Sequence, residues 1–223
     1  MNDDKIPIEI KNLHFGYNHG QKIFKGLNLS LKKGDKIGLV GSNGSGKTTL
    51  FHIIMGLLQP ASGEITIFGK RRTTERDFFE IRQRIGLLFQ DSDDQLFYPT
   101  VEEDIAFGPL NLGKSHEEVR AIVRDTCGKL GLSGLEKRVT YRLSGGEKRL
   151  TALATIAAMK PECFLLDEPT SGLDEETTGM LLNYLRTHAE TYVIISHDHE
   201  FLKEAVNEIY LLKDGIISRK ETL

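Results

Sequence analysis

KIGLVGSNGSGKTTL, Lys36 to Leu50, is the stretch on which the reading of this 223-residue chain turns. Lys36 to Gly41 is an apolar run of strand length, and Lys47 to Leu58 reads as a helix. Between them Gly41, Gly46, Lys47 and Thr48 fit G-x-x-x-x-G-K-[ST], the loop that wraps nucleoside phosphates. A triphosphate carries about four negative charges and is held best by many weak donors. Gly41, Gly44 and Gly46 let the backbone come close, so that successive N–H groups and the helix N-terminus face the phosphates. Ser42, Asn43, Ser45 and Thr49 complete the cradle. Lys47 is expected at the β- and γ-phosphates of ATP, and the Thr48 hydroxyl on Mg²⁺.

Outward from this loop, the order of elements describes an α/β protein. IEIKNLHFGY and LNLSLKKGD alternate as antiparallel strands do, and GEITIFGK is another short strand. From about Thr73 to Leu132 the chain reads as mostly helical. RDFFEIRQRI has helical spacing, and SHEEVRAIVRDTCGKL opens on a capping pattern at Ser115 and Glu118. LSGGEKRLTALATIAAMK begins a long helix behind two glycines. CFLLDE and YVIIS are strands flanking the helix EETTGMLLNYLRTHA, and EIYLLKDG with IISRK closes as a hairpin.

Bulk properties narrow the class. Charged residues are 27%, hydrophobic residues 39% and the net charge is −3, which gives no electrostatic case for nucleic acid. No apolar run approaches the ~20 residues of a membrane-crossing helix. MNDDKIPIEI lacks the basic start and apolar core of a secretory signal. The two cysteines, Cys127 and Cys163, have no metal-ligand spacing, and no disulfide framework is expected.

Two further motifs carry a resemblance: LSGGE, Leu143 to Glu147, and FLLDEPTSGLD, Phe164 to Asp174. Downstream of GSNGSGKTT they make the chain resemble the nucleotide-binding subunits of ABC transporters over nearly its whole length. The resemblance implies a P-loop NTPase fold of ABC type, with an N-terminal antiparallel β-subdomain and a helical subdomain. It implies one domain over 1–223, with core and β-subdomain at about 1–90 and 160–223, and the helical part at about 91–159. Asp167, at the end of an apolar strand, becomes the Walker B acid that positions Mg²⁺. Glu168 becomes the general base, His197 the switch histidine at the γ-phosphate, and Gln90 the glutamine that senses Mg²⁺ and the attacking water. Tyr17 matches the aromatic that stacks on adenine, although strand aromatics often pack in a core instead.

The same resemblance makes this half of a catalytic unit. Ser144, Gly145, Gly146 and Glu147 begin a helix, which is an anion cradle. In the family this cradle closes on the γ-phosphate held by the other protomer of a homodimer or heterodimer, and Asp174 crosses the same interface. Read alone, LSGGE would be a helix cap with a Gly-Gly hinge.

LLFQDSDDQLFYPTVEEDIAFGPLNLG, Leu87 to Gly113, is similar to the energy-coupling factor (ECF) and cobalt/nickel-type importer ATPases. That implies a peripheral subunit on the cytoplasmic face of the cell membrane, partnered by a T-type integral membrane subunit and a substrate-binding membrane subunit. Asp91, Asp93, Asp94, Glu102, Glu103 and Asp104 form an acidic cluster able to receive that partner's arginines, or else a solvated acidic loop. Some relatives carry an added C-terminal domain; the chain's end soon after ISRKETL leads us to expect none here. The transported species stays open among cobalt, nickel, biotin and other vitamins.

Rival readings fare worse. A DNA-repair ATPase of this superfamily needs a long coiled coil, and the interval from Lys47 to Ser144 is too short for one. Translation factors usually join two cassettes. A P-loop kinase has no use for LSGGE or SGLD, and a purely regulatory module would be expected to lose Glu168 or His197. A classical importer or an exporter is separated mainly by Leu87 to Gly113.

Overall fold

A computed structural model describes residues 7–17 and 22–220 of the chain. The first six residues and 221–223, which bear on the reading of the two ends, lie outside the described residues. Two sheets organise the rest. Strands β1 (Ile8–Gly16), β2 (Lys22–Leu31), β4 (Ser62–Ile67) and β5 (Lys70–Arg71) form an antiparallel sheet in the order β2-β1-β4-β5. Strands β3 (Lys36–Val40), β6 (Ile85–Leu88), β7 (Cys163–Asp167), β8 (Tyr192–Ile195), β9 (Glu208–Lys213) and β10 (Ile216–Lys220) form the second, ordered β10-β9-β3-β8-β7-β6. All its pairings are parallel except β9–β10.

Sequence pattern and position agree. β6, β7 and β8 are buried at every residue, as continuous apolar runs in a sheet covered on both faces must be. β1 and β2 alternate, because only one face meets the core. Between the sheets, Leu13, Phe24, Leu27, Phe51 and Ile53 pack against Leu165 and Val193. On the other face Leu88, Leu166, Tyr192 and Ile194 join Val101, Ile105, Val123 and Leu153 of the helical elements.

The helices are α1 (Lys47–Ile54), α2 (Glu75–Arg84), α3 (Val101–Asn111), α4 (His116–Lys129), α5 (Gly145–Ala157), α6 (Glu175–His188) and α7 (His199–Ala205). The expected capping box at Ser115 and Glu118 is present, and Thr74–Asp77, Thr100–Glu103 and Ser144–Glu147 form three more. Two expectations need correction. Helix α1 ends at Ile54, not Leu58, because Gly56 turns the chain at φ 69°. Gln90, expected to end the strand GLLFQ, lies two residues beyond β6, on the loop. The stretch from Thr73 to Leu132 is mostly helical, as expected, with β6 inside it where the strand GLLFQ is expected. His199, expected as a surface residue, is exposed at the start of α7.

Candidate functional site

Parallel strands bring the candidate residues to one edge. In α/β sheets ligands sit outside the carboxyl ends of the strands. Here β3 runs into the phosphate loop, β7 ends at Asp167, β8 is followed by His197, and β6 is followed by Gln90. Their register is aligned: Leu39 and Asp167 both oppose Ile195, and Leu88 opposes Leu166. A cavity of about 630 Å³ opens there, lined by Tyr17, Asn43, Gly44, Gly46, Lys47, Thr48, Thr49, Gln90, Asp167, Glu168 and His197.

The cradle is shaped before any ligand arrives. Gly46 caps α1 at φ 106°, and a Cβ there would lie 2.5 Å from Ile23 Cγ2. A Cβ at Gly41 would meet the Leu212 carbonyl oxygen at 2.5 Å. Neither position accepts a side chain. The Lys47 ammonium donates to the carbonyls of Gly41 at 2.8 Å and Ser42 at 3.2 Å, so it is folded back over the loop. Burial lowers its pKa, while Glu168 and Asp167 oppose that shift. The buried Ser45 hydroxyl has no partner among the described residues, as suits a loop built to meet an anion.

Thr48 Oγ1 donates to Asp167 Oδ2 at 2.6 Å. Asp167 is 2% exposed, and burial raises its pKa against the Thr48 hydrogen bond and the charges of Arg149, His52 and Lys47. A hydroxyl and a carboxylate side by side are hard oxygen donors, the kind Mg²⁺ takes while keeping waters and phosphate oxygens for its other positions. The residues present therefore fit that ion. Gln90 faces the same cavity.

Glu168 stands at φ 47°, in the left-handed region that costs a non-glycine residue roughly 1–2 kcal/mol. Its Oε2 accepts from the His197 backbone N–H at 3.3 Å, and its Oε1 lies 3.4 Å from His197 Nε2. His197 itself is exposed. A carboxylate, an imidazole, an ammonium and a metal-type donor pair thus converge on one cleft, an arrangement competent to polarise a water against a phosphoryl group. Tyr17 is not a core aromatic: it is 48% exposed, its hydroxyl lies 3.1 Å from Thr49 Oγ1, and its ring meets Phe15 edge-on.

LSGGE stands apart from that cluster. Ser144 Oγ accepts from Glu147 N at 3.2 Å, and Glu147 Oε2 accepts from Ser144 N at 2.7 Å. Ser144 and Gly145 are exposed; Ser144, Gly146 and Glu147 do not line the phosphate cavity. Gly145 lines an adjoining cleft with Thr48 and Gln90. Asp174 caps α6 by accepting from Thr177 N at 2.8 Å and is also exposed. The structure brings the phosphate-loop, Asp167, Glu168, Gln90 and His197 groups together, and leaves the signature and Asp174 facing outward.

The acidic cluster divides. Asp104 is 4% exposed, and its Oδ1 accepts from Phe97 N and Tyr98 N, each at 3.0 Å. It is therefore a loop brace and not a surface acid. Asp91 caps a short 3₁₀ turn, Asp93 pairs with Lys148 at 2.6 Å, and Glu103 closes a capping box with Thr100. Among the described residues Asp94 and Glu102 have no side-chain ion pair. Sequence reasoning also missed Arg149 and Gln95. Gln95 accepts from Phe89 N and donates to the Ala152 carbonyl and to Thr155 Oγ1.

The family model for ABC transporters matches residues 24–171. An energy-coupling factor transporter ATP-binding protein, EcfA, from Methanothermobacter thermautotrophicus is 44% identical over 93% of this chain and 68% of that protein. The cbiO1 protein of Clostridium perfringens, part of the cbiONQ transporter complex, superposes with a TM-score of 0.85 at 31% identity, covering 96% of this chain and 87% of the other. An ATP-binding cassette solved as a post-hydrolysis dimer with ADP and Pi gives 0.86 at 27% identity, covering 97% and 98%. The chain belongs to the ABC transporter family and has its ATPase fold. It is an ATP-binding ATPase subunit, of a kind that works in pairs with membrane subunits. No helix of the described residues is long and apolar enough to cross a membrane.

Proposed function

We propose that this chain hydrolyses Mg²⁺–ATP to energise an ECF-type importer of a transition metal ion, cobalt or nickel, or of a vitamin. The observation carrying the hydrolytic half is the convergence of Lys47, the Thr48–Asp167 pair and the Glu168–His197 pair at the ends of adjacent parallel strands. Bound Mg²⁺, held by Thr48 and Asp167 with Gln90 nearby, neutralises charge on the terminal phosphates. Glu168 takes the proton of the attacking water and His197 steadies the γ-phosphate. Lys47 leaves the loop carbonyls for the β- and γ-oxygens, and Tyr17 stacks on the adenine. Ser144, Gly145, Gly146 and Glu147 serve the ATP of a second protomer, identical or related, with Asp174 at the same interface. The chain works as one folding unit, docked peripherally at the cytoplasmic face of the membrane.

The transport half is supported by the segment Leu87 to Gly113. Phe97 is 79% exposed and Phe107 49%, on the same segment as Asp94 and Glu102, which have no ion pair among the described residues. Apolar side chains ringed by charge are the makings of a docking face for a basic membrane partner. The test is affinity isolation of the tagged chain from membranes of its native host. A T-type membrane subunit and a substrate-binding membrane subunit are expected to co-purify. D94K/E102K is expected to lower their recovery at least about tenfold while ATP turnover of the isolated chain persists. Recovery with exporter-type membrane domains, or undiminished recovery of the double variant, refutes the assignment.

A further inference from the structure

Arg149 lies at 3% exposure in the middle of the molecule, on α5, and no carboxylate among the described residues pairs with it. Its partners are oxygens of two separate backbone segments. Nη1 donates to the carbonyls of Phe89 at 2.6 Å and Gln90 at 3.2 Å, with Ser92 Oγ at 3.4 Å. Nη2 donates to the carbonyls of Asp167 and of Glu168, the latter at 2.7 Å, and Nε to that of Pro169 at 3.3 Å. Three successive carbonyls, 167 to 169, thus turn toward one cation. That convergence accompanies the left-handed backbone of Glu168.

A guanidinium is the one side chain able to do this. Its five N–H donors lie in a fixed plane, whereas an ammonium concentrates three at a point. Desolvation drags its pKa down to about 10, against the pull of Asp167, Glu168 and Asp91, so it stays charged at neutral pH. Two other side chains tie the Gln90 loop to the same helix: Lys148 through Asp93, and Gln95 through Ala152 and Thr155. Only Arg149 continues across to the strand end that bears Asp167 and Glu168.

We propose that Arg149 is a positioning residue for hydrolysis: it clasps the Gln90 loop and the Asp167–Pro169 turn together, and so fixes where Glu168 stands relative to the γ-phosphate. The inference rests on Glu168 as general base, and it adds a mechanical link. A shift of the Gln90 loop moves the guanidinium, and with it the carbonyls on either side of Glu168. Because the clasp acts on backbone around the base and not on the cradle, its loss should slow the chemical step and spare nucleotide affinity.

The full chain is compared with R149K, R149Q and E168Q. We measure melting temperature, binding of a fluorescent ATP analogue, steady-state kcat and KM with Mg²⁺–ATP, and trapping of Mg²⁺–ADP by orthovanadate. R149K is expected to fold and to bind the analogue as the parent does, with KM little changed. Its kcat should fall about tenfold and that of R149Q about 100-fold, the scale of a base displaced by an ångström. Vanadate trapping should weaken in parallel in both. Parental kcat in both variants overturns the proposal, as does a rise of KM matching the fall of kcat. An R149K chain that does not fold overturns it too, since the residue would then be purely structural. Unimpaired turnover in E168Q would instead refute the base assignment and is read independently of the arginine variants.

Discussion

The phosphate cradle and the signature segment are both glycine-rich turns opening helices, yet they are built in opposite ways. At the cradle two of the three glycines are closed in: Gly46 is pressed by Ile23 and Phe24, Gly41 by the backbone of Leu212, and Lys47 is buried. At the signature a Cβ on Gly145 would touch nothing within 4 Å, and one on Gly146 would make only ordinary contact with Thr177. Of the cradle's glycines, Gly41 and Gly46 are required by the chain's own packing, and Gly44 by its φ of 75° alone. Those of the signature answer to no neighbour in this chain, which is what a surface reserved for another molecule looks like. A helix N-terminus with its cap satisfied still offers N–H groups and dipole to an incoming anion. On the function proposed above, one region is finished on folding and the other on assembly.

The largest test of that contrast is Glu168→Gln, which leaves both regions intact and removes the base between them. Loss of a general base costs 10²- to 10⁴-fold, so ATPase activity should fall about 1000-fold. ATP should still bind, and in Mg²⁺–ATP the variant should accumulate as a dimer by size-exclusion chromatography with light scattering. A monomer under saturating ATP would mean that the signature surface does not close on nucleotide.

Next come substitutions of one residue type in the two regions. Gly145→Asp should fold normally and bind ATP as a monomer, because the side chain has room. It places a carboxylate where a second protomer's γ-phosphate would lie, so turnover should drop about 100-fold. Gly46→Ala should do the reverse: its methyl collides with Ile23 at a φ of 106°, and ATP binding itself should be lost. Equal loss of binding in both would erase the distinction between them. Smaller again is Tyr17→Ala. Stacking on a base is worth about 1–3 kcal/mol, so the KM for ATP should rise about tenfold with kcat little changed. A change in kcat alone would place Tyr17 elsewhere in the cycle.

The same contrast explains how much was legible beforehand. The positions of the cradle, Asp167, Glu168 and His197 were readable because each stands at the end of a core strand or within two residues of it, where a local motif is enough to specify them. The strand, helix and hairpin order was readable from periodicity, apart from two-residue β5 and seven-residue α7, which are too short to show any. Arg149 carried no such signal. It works through backbone carbonyls 18 to 60 positions away, and carbonyls have no sequence signature. Gln95 was hidden for the same reason. Within the run of acids from Asp91 to Asp104, only Asp104 misled, because charge in a sequence reports composition and not burial.

Asp104 gives the smallest effect, and the sharpest measure of how finished the interior is under the helices that carry the signature. Its Oδ1 is used twice, whereas Oδ2 is buried with no partner among the described residues. Burial therefore raises its pKa, with the N–H groups of Phe97 and Tyr98 opposing. A carboxyl whose folded pKa lies above its unfolded value contributes stability that is fully present below the unfolded pKa. That contribution is lost as pH rises through the folded one. As pH rises through that folded value the wild type takes on a buried charge, which Asp104→Asn avoids while keeping one oxygen for the two N–H groups. The stability of D104N relative to the wild type should improve by about 1 kcal/mol between pH 4 and pH 7, measured by urea unfolding. Asp104→Ala, which strands both donors, should destabilise by about 1–3 kcal/mol across the same range. A D104N difference that does not move with pH would mean that Oδ2 meets water, and that this part of the helical face is as open as the signature above it.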